Sequence, residues 1–255
     1  MAQYKNTDWP RRLWIIRHGE SAGNVARDHA EESGIRLIEL DTRDADTPLS
    51  ALGHKQSLAL AAWFGEMPGS ERPRNIYASP YNRATQTASH VATALGLSHE
   101  AMRLDERLRE REFGILDRYT KHGILAHFPD LAAQRELVGK FYFRPPGGES
   151  WCDVILRLRS IIELLRRDHV EDNVLIIGHQ VTVNCFRYLL ENLDERGILA
   201  IDKSGDVPNC GVTEYALEGA GATAAFKLVR TNHILPLLKA QTEVTAAPDV
   251  PAGPR

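Results

Sequence analysis

Short apolar runs alternate along the chain with segments whose apolar residues recur at helical spacing. Leu13–Ile16 and Val174–Ile177 are continuous apolar runs, which predicts strands buried on both faces. Asn75–Ala78 is a weaker candidate of the same kind, and Thr213–Leu217 and Ala225–Arg230 indicate two later strands. These runs supply the strands of a central sheet.

Helical spacing follows several of these strands. The clearest case runs from Val154 to Leu165, and others begin near Leu52, Ala84 and Val183. Ser50 stands where its hydroxyl would cap the helix that contains Leu52. Strand-then-helix alternation predicts an α/β fold, a three-layer α/β/α sandwich with a mostly parallel central sheet.

No linker or shift in composition divides the chain, so residues 1–240 are predicted to form a single domain. Residues 117–144 interrupt the alternation, and we expect them to form a helical insertion over the site at one end of the sheet. The tail, residues 241–255, is rich in proline and is predicted to be disordered.

Composition and charge bear mainly on which classes of partner the protein is expected to bind. A hydrophobic content of 43% with 25% charged residues is ordinary for a globular protein, and a net charge of -3 gives no general attraction for nucleic acid or membranes. The three cysteines lack the paired spacing of a metal site. Without a signal-like or membrane-spanning run, we expect a cytoplasmic protein with no nucleic-acid or membrane partner; its oligomeric state stays open.

Polar residues that carry chemistry follow three of the predicted strands. Arg17–Ser21 follows the first run, Ser79–Arg83 follows Asn75–Ala78, and Gly178–Gln180 follows Val174–Ile177. Ligands bind outside the carboxyl ends of strands in open α/β sheets. We therefore expect two histidines and two arginines to meet at one edge of the sheet.

Such a site suits a dianionic phosphoryl group. Arg17 and Arg83 can each donate forked, charge-assisted hydrogen bonds to phosphate oxygens. Backbone N–H groups of the helices after Gly19 and Gln180 would add donors, and a neutral imidazole is a competent nucleophile near pH 7. A histidine at a strand end is more often structural, but Arg17-His18-Gly19-Glu20 followed by Asn24 is a far rarer combination.

Four motifs, in order, resemble the signature blocks of the histidine phosphatase superfamily, also called phosphoglycerate-mutase-like proteins. They are residues 17–24, 79–88, 108–114 and 178–179. The resemblance extends from Leu13 to Leu217 and implies the same α/β fold.

The resemblance also implies roles for the matching residues. His18 would be the phosphorylated nucleophile, and Glu110 would protonate the leaving oxygen and later deprotonate water. Glu112 is a rival acid by chemistry alone, but the family block favours Glu110. The residues that would hold the phosphoryl group are Arg17, Asn24, Arg83 and His179. Further candidate contacts to phosphate or substrate are Gly19, Ser21, Gln180, Arg111 and Lys121.

The motifs leave two reactions open, hydrolysis and transfer of the phosphate to a second hydroxyl. Cofactor-dependent mutases carry tandem arginines in the insertion, whereas residues 117–144 contain no Arg-Arg pair. Phe113 stands where a mutase usually has tyrosine, although Lys121 matches the place of a mutase substrate lysine. Residues 141–150 resemble those of phosphatase-like relatives.

We therefore predict metal-independent hydrolysis of a small phosphorylated metabolite through a phosphohistidine, without a cofactor. One alternative is a phosphoglycerate mutase that uses 2,3-bisphosphoglycerate. A second is a catalytically silent binding or scaffold protein. A metal site built on His18 and His179 is disfavoured because Arg17 and Arg83 would repel a cation.

Overall fold

The structure is a computed structural model that describes residues 8–219 and 224–246. In this part of the chain a six-stranded sheet has the order β3-β2-β4-β1-β5-β6. The strands are β1 Arg12–Arg17, β2 Asn75–Ala78, β3 Met102–Leu104, β4 Asn173–Gly178, β5 Val212–Glu218 and β6 Ala225–His233. The first four strands are parallel, whereas β5 runs antiparallel to β1 and β6. The predicted sheet is confirmed, with β3 added at its edge.

Helices lie on both faces of this sheet. They are α1 Ala22–Glu32, α2 Ala51–Glu66, α3 Asn82–Leu95, α4 Lys121–His127, α5 Pro129–Val138, α6 Trp151–Asp168, α7 Gln180–Leu190, α8 Glu195–Ser204 and α9 Leu235–Lys239. The predicted cap of α2 is present, because the Gly53 N–H donates to Ser50 Oγ at 3.0 Å. Ser150 and Asp153 form a reciprocal capping box at the start of α6.

Alternate residues of the central strands enter two separate cores. Leu13 and Ile15 pack in one cluster with residues of α6 and α7, while Trp14 and Ile16 pack in another with residues of α2 and α3. All four side chains have no exposed surface. Since successive side chains of a strand point to opposite faces, both faces of β1 are covered. The three-layer α/β/α sandwich is confirmed.

The insertion, residues 117–144, carries α4 and α5 and packs around a small apolar cluster of its own, which includes Ile124, Ala132 and Phe143. Arg118 joins it to the segment that precedes α2. Its Nη1 donates to the carbonyl oxygen of Leu40 at 2.9 Å and its Nη2 to that of Thr42 at 2.7 Å. The insertion and residues 40–42 are thereby fixed together.

Two residues at the beginning of the predicted disordered tail contact the rest of the domain. Thr245 accepts a hydrogen bond from Asn209 N at 2.8 Å through its carbonyl oxygen and another from Gln56 Nε2 at 2.9 Å through its hydroxyl. Val244 packs against the core that contains Trp14. Local sequence gives no sign of these tertiary contacts, and the disorder of the tail stays a prediction. Residues 247–255 lie outside the described part of the chain.

Across residues 8–219 and 224–246, no helix has the length and apolar character needed to cross a bilayer.

The turn after β1 lies very close to the first turn of α2. A Cβ atom placed on Gly53 would come within 1.9 Å of Glu20 O, and one placed on Gly19 would come within 2.6 Å of Gly53 O. Ser50 strengthens this contact, because its N–H donates to Glu20 O at 2.9 Å. Glycine at position 53 is required because two backbone segments meet there.

We expect Gly53→Ala to lower the free energy of unfolding by about 1–3 kcal/mol, because the added methyl group must push two backbones apart. Gly65→Ala, in the same helix, is the matched control. Its Cβ would meet nothing within 4 Å, so this variant should gain up to about 1 kcal/mol from helix propensity. Urea unfolding curves measure both, and equal effects would contradict the close contact.

Candidate active site

His18 is held immediately after β1 by hydrogen bonds from three directions. Its N–H donates to Gly178 O at 3.0 Å, and its carbonyl oxygen accepts from Asn209 Nδ2 at 3.0 Å. Its ring Nδ1 lies 2.6 Å from Gly19 O. Because a carbonyl oxygen can only accept, the neutral ring carries its proton on Nδ1, which leaves the lone pair on Nε2.

Arg83 faces that lone pair from the first turn of α3. Its Nε lies 3.2 Å from His18 Nε2, and its side chain is nearly buried. The two terminal nitrogens of the same guanidinium donate to the carboxylate of Asp44, at 3.0 and 3.1 Å. The positive group is therefore fixed beside the atom that would react.

His179 follows β4 and is completely buried. The centroid of its ring lies 5.1 Å from that of His18, and its Nε2 is 2.8 Å from Ser79 Oγ. Its Nδ1 is buried without a hydrogen-bond partner in the described residues and lies 3.7 Å from Glu110 Oε2. In the tautomer with its proton on Nδ1, where Nε2 accepts from the Ser79 hydroxyl, this ring can donate to an anionic ligand oxygen.

Arg17 completes the cationic side of the site. Its Nη1 donates to Gln180 Oε1 at 2.9 Å and to Val207 O at 2.6 Å. Gln180 is held in turn, since its Nε2 donates to Asp206 Oδ1 at 3.0 Å. Burial lowers the pKa of Arg17 to about 10, so the side chain stays positively charged at neutral pH.

Both imidazoles are kept neutral by their surroundings. Burial lowers the pKa of His18 well below its ordinary value, and the positive charges of Arg83 and Arg17 lower it further. Burial lowers the pKa of His179 in the same way, with Arg83 again the largest charge effect. An uncharged His18 retains the lone pair that a nucleophile needs.

The predicted residues do not all reach the cavity at this edge of the sheet. Those that line it are Arg17, His18, Ser21, Asn24, Arg83, Glu110 and Gln180. Ser21 and Asn24 bond to each other at the start of α1, where Asn24 Oδ1 accepts from Ser21 N at 3.0 Å. Gly19 lies in the close turn against α2, and its N–H donates to Thr87 Oγ1 at 3.1 Å.

Arg111, Lys121 and Glu112 are placed differently from their predicted roles. The Arg111 guanidinium lies over the ring of Phe113, 4.6 Å from its centroid, and is not among the cavity-lining residues that the structure describes. Lys121 is the first residue of α4, where its backbone N–H donates to the Glu31 carboxylate. Lys121 is not among the residues that line the cavity. Glu112 accepts a hydrogen bond from Tyr81 OH at 2.9 Å, so the geometry favours Glu110 as the carboxylate of the site.

Several residues that line the cavity are not among the predicted site residues. They are Arg27, Ile38, Leu40, Asp44, Phe113, Asp117 and Arg118. Arg27 follows Asn24 by three residues on α1, a helical spacing that would have placed both on one face. The others come from loops before α2 and after residue 112, whose positions no local periodicity predicts.

In the described ranges, 8–219 and 224–246, no group of three or more His, Cys, Asp or Glu side chains could hold a metal ion.

The fold brings two histidines, two arginines and a carboxylate together at one edge of the sheet. The sequence profile of the histidine phosphatase superfamily (branch 1) matches residues 13–229. The chain therefore belongs to the histidine phosphatase superfamily, which confirms the resemblance seen in its motifs.

Two curated relatives illustrate the similarity. A 6-phosphofructo-2-kinase/fructose-2,6-bisphosphatase of Caenorhabditis elegans is 31% identical over 178 residues, which are 69% of this chain and 33% of that protein. The chain thus spans about a third of that relative's length. A phosphoglycerate mutase-like protein, AT74H of Arabidopsis thaliana, is 28% identical over 188 residues, which cover 69% of this chain and 64% of that protein.

A solved structure shows the same architecture. A mycobacterial glucosyl-3-phosphoglycerate phosphatase, in complex with VO3, is 27% identical and superimposes with a TM-score of 0.67. The match covers 88% of this chain and 99% of that chain.

The neutral buried imidazoles make stability depend on pH. In the unfolded protein, both rings bind protons as the pH falls below about 6.5. In the folded protein, their lowered pKa values keep them unprotonated over the same range. The unfolded state then binds more protons, so stability is lost on acidification, with each ring contributing up to about 1.4 kcal/mol per pH unit. We expect urea unfolding to show this loss between pH 7.5 and 5.5.

His18→Asn should reduce that loss, since it removes one of the two buried rings. His122→Asn, which removes an exposed imidazole on α4, is the control and should leave the pH dependence unchanged. The same loss in all three proteins would show that burial of His18 does not shift its protonation.

Proposed function

We propose that the chain hydrolyses small phosphomonoesters through a phosphohistidine formed on His18 Nε2. The observation that carries the proposal is the fixed geometry of this ring. Its Nδ1 is tied to Gly19 O at 2.6 Å, and its unprotonated Nε2 faces Arg83 Nε at 3.2 Å. A nucleophile held in this way needs little reorganisation before it attacks phosphorus.

In the first step, His18 Nε2 attacks the phosphorus atom and forms an N–P bond while the ester P–O bond breaks. Glu110, which also lines the cavity, gives its proton to the departing alkoxide. Arrival of the dianionic substrate favours the protonated form of this carboxyl group, because like charges repel. The products of this step are the free alcohol and the phosphorylated imidazole.

In the second step, water attacks the phosphorus atom and the N–P bond breaks. Glu110, now ionised, accepts the proton of that water, so that inorganic phosphate leaves and both residues return to their starting states. Arg17, Arg83 and the buried Nδ1 of His179 would stabilise the charge on the phosphoryl oxygens throughout. The two guanidinium groups supply the positive charge that a metal ion would supply elsewhere, and we propose that no metal or cofactor is needed.

Hydrolysis is favoured over mutase activity by the surroundings of the site. Phe113, which lines the cavity, cannot make the hydrogen bond of a tyrosine, and Lys121 does not line it. One relative is named for both a kinase and a fructose-2,6-bisphosphatase, and the glucosyl-3-phosphoglycerate phosphatase is named for hydrolysis alone, which supports hydrolysis here. The retained His18, Arg83 and Glu110 oppose the silent scaffold alternative. We propose a small phosphorylated metabolite as substrate and a cytoplasmic location.

We expect His18→Ala to lower phosphatase turnover by at least about 10³-fold, because it removes the nucleophile.

Turnover of the unaltered protein on a panel of phosphate esters should be the same with and without EDTA. Rapidly quenched samples kept away from acid should show an adduct on His18 by mass spectrometry. Absence of the adduct during active turnover would contradict the phosphohistidine, and turnover of 3-phosphoglycerate with 2,3-bisphosphoglycerate would favour the mutase.

Glu110→Gln should slow hydrolysis of an alkyl phosphate by about 10²–10⁴-fold, since this leaving group needs a proton. The same variant should slow p-nitrophenyl phosphate far less, because nitrophenolate leaves without protonation. Glu112→Gln is the matched control and should spare both substrates, given that Glu112 bonds to Tyr81. If Glu110→Gln slowed hydrolysis of both substrates equally, Glu110 would not be the general acid.

A further inference from the structure

We infer that Asp44 is a positioning residue that holds Arg83 by one edge of its guanidinium and thereby directs the other edge at His18 Nε2. This inference rests on the proposed function, because it concerns how Arg83 grips the phosphoryl group. Asp44 matches none of the motifs that identified the site, and it lies in a segment for which the sequence predicts no regular structure.

The contacts of Arg83 divide between the two edges of its guanidinium. On the outer edge, Nη1 donates to Asp44 Oδ1 at 3.0 Å and Nη2 donates to Asp44 Oδ2 at 3.1 Å. Nη1 also donates to the backbone oxygen of Asp44 at 2.7 Å. On the inner edge, Nε points at His18 Nε2 at 3.2 Å.

Because guanidinium is planar, its donors lie on separate edges that can bind different partners. The second hydrogen on Nη2 lies on the same edge as the hydrogen on Nε, so these two donors form a fork. Asp44 does not use that fork, which faces the nucleophile. A phosphoryl group attached to His18 Nε2 would therefore meet two parallel donors while Asp44 keeps its own two.

The exposure of the two partners also suits this role. The side chain of Arg83 is 6% exposed, whereas that of Asp44 is 44% exposed. A buried positive charge is costly without a partner, and a carboxylate at the rim of the cavity provides one while it remains hydrated. An arginine side chain left without this partner would sample several rotamers and lose its alignment with His18.

Asp44 is itself held in place from both sides. It begins a short 3-10 turn, Asp44–Asp46, in which its carbonyl oxygen accepts from Thr47 N at 3.2 Å. On the other side, Arg118 from the insertion binds the carbonyl oxygens of Leu40 and Thr42. The insertion thus acts on the catalytic centre indirectly, through the segment that presents Asp44.

A competing interpretation is that Asp44 occupies the place of the substrate phosphate and must leave when substrate binds. The two interpretations predict opposite effects on anion affinity. If Asp44 positions Arg83, its removal weakens binding of an oxyanion. If Asp44 competes for Arg83, its removal tightens that binding.

The test measures vanadate binding and phosphatase kinetics in Asp44→Asn, Asp44→Ala and Asp44→Glu. We expect the first two variants to raise the inhibition constant for vanadate and to lower kcat/KM for p-nitrophenyl phosphate, each by about tenfold or more. Asp44→Glu should recover part of both losses, because it restores a carboxylate. Tighter or unchanged vanadate binding in Asp44→Asn and Asp44→Ala would overturn the inference.

Asp46→Asn is the matched control, since Asp46 lies in the same turn and pairs with the exposed Arg43. It should leave the kinetics and vanadate inhibition unchanged, and a loss equal to that of Asp44→Asn would also overturn the inference. Unfolding curves for each variant separate a loss of fold from a loss of alignment. Thermal-shift titration with vanadate needs no turnover, so it tests Asp44 even if the unaltered protein proves inactive, which would contradict the proposed function alone.

Discussion

The hydrogen bond between His18 Nδ1 and the neighbouring Gly19 carbonyl, 2.6 Å long, determines what the rest of the site can do. It places the single proton of the neutral ring on Nδ1 and leaves the lone pair of Nε2 facing Arg83. Every other feature of the site preserves that state. Burial disfavours a second proton, and two guanidinium groups oppose it by charge.

The same positive charges repel one another, and carboxylate and amide oxygens of nearby side chains balance that repulsion. Asp44 contacts Arg83 at the rim, Gln180 contacts Arg17 within the site, and Glu110 lies 3.7 Å from the second imidazole. The oxyanion of a substrate would enter between these groups, where the donors already point inward. Preorganised donors of this kind are the largest usual source of stabilisation in phosphoryl transfer.

The central strands could be predicted from sequence, because parallel strands buried on both faces are continuous apolar runs. The site residues at their ends could be predicted as well, because ligands bind outside the carboxyl ends of such strands. β3 could not, since three residues with exposed Arg103 and Leu104 leave no such run. Arg17, His18, Arg83 and His179 were brought together as expected. Asp44 and Asp117 reach the cavity through loops fixed by long-range contacts such as those of Arg118, and the Arg111 guanidinium lies over the ring of Phe113.

Two hydrogen bonds through Asn209 join His18 to a residue near the other end of the described chain. The Asn209 amide that donates to His18 O accepts a hydrogen bond from Thr245 Oγ1 at 3.0 Å, so a residue near position 245 orients a loop near position 18. During synthesis the β1 segment emerges early, long before this support exists. The loop that carries His18 therefore lacks this support until the segment near position 245 has been synthesised and has docked.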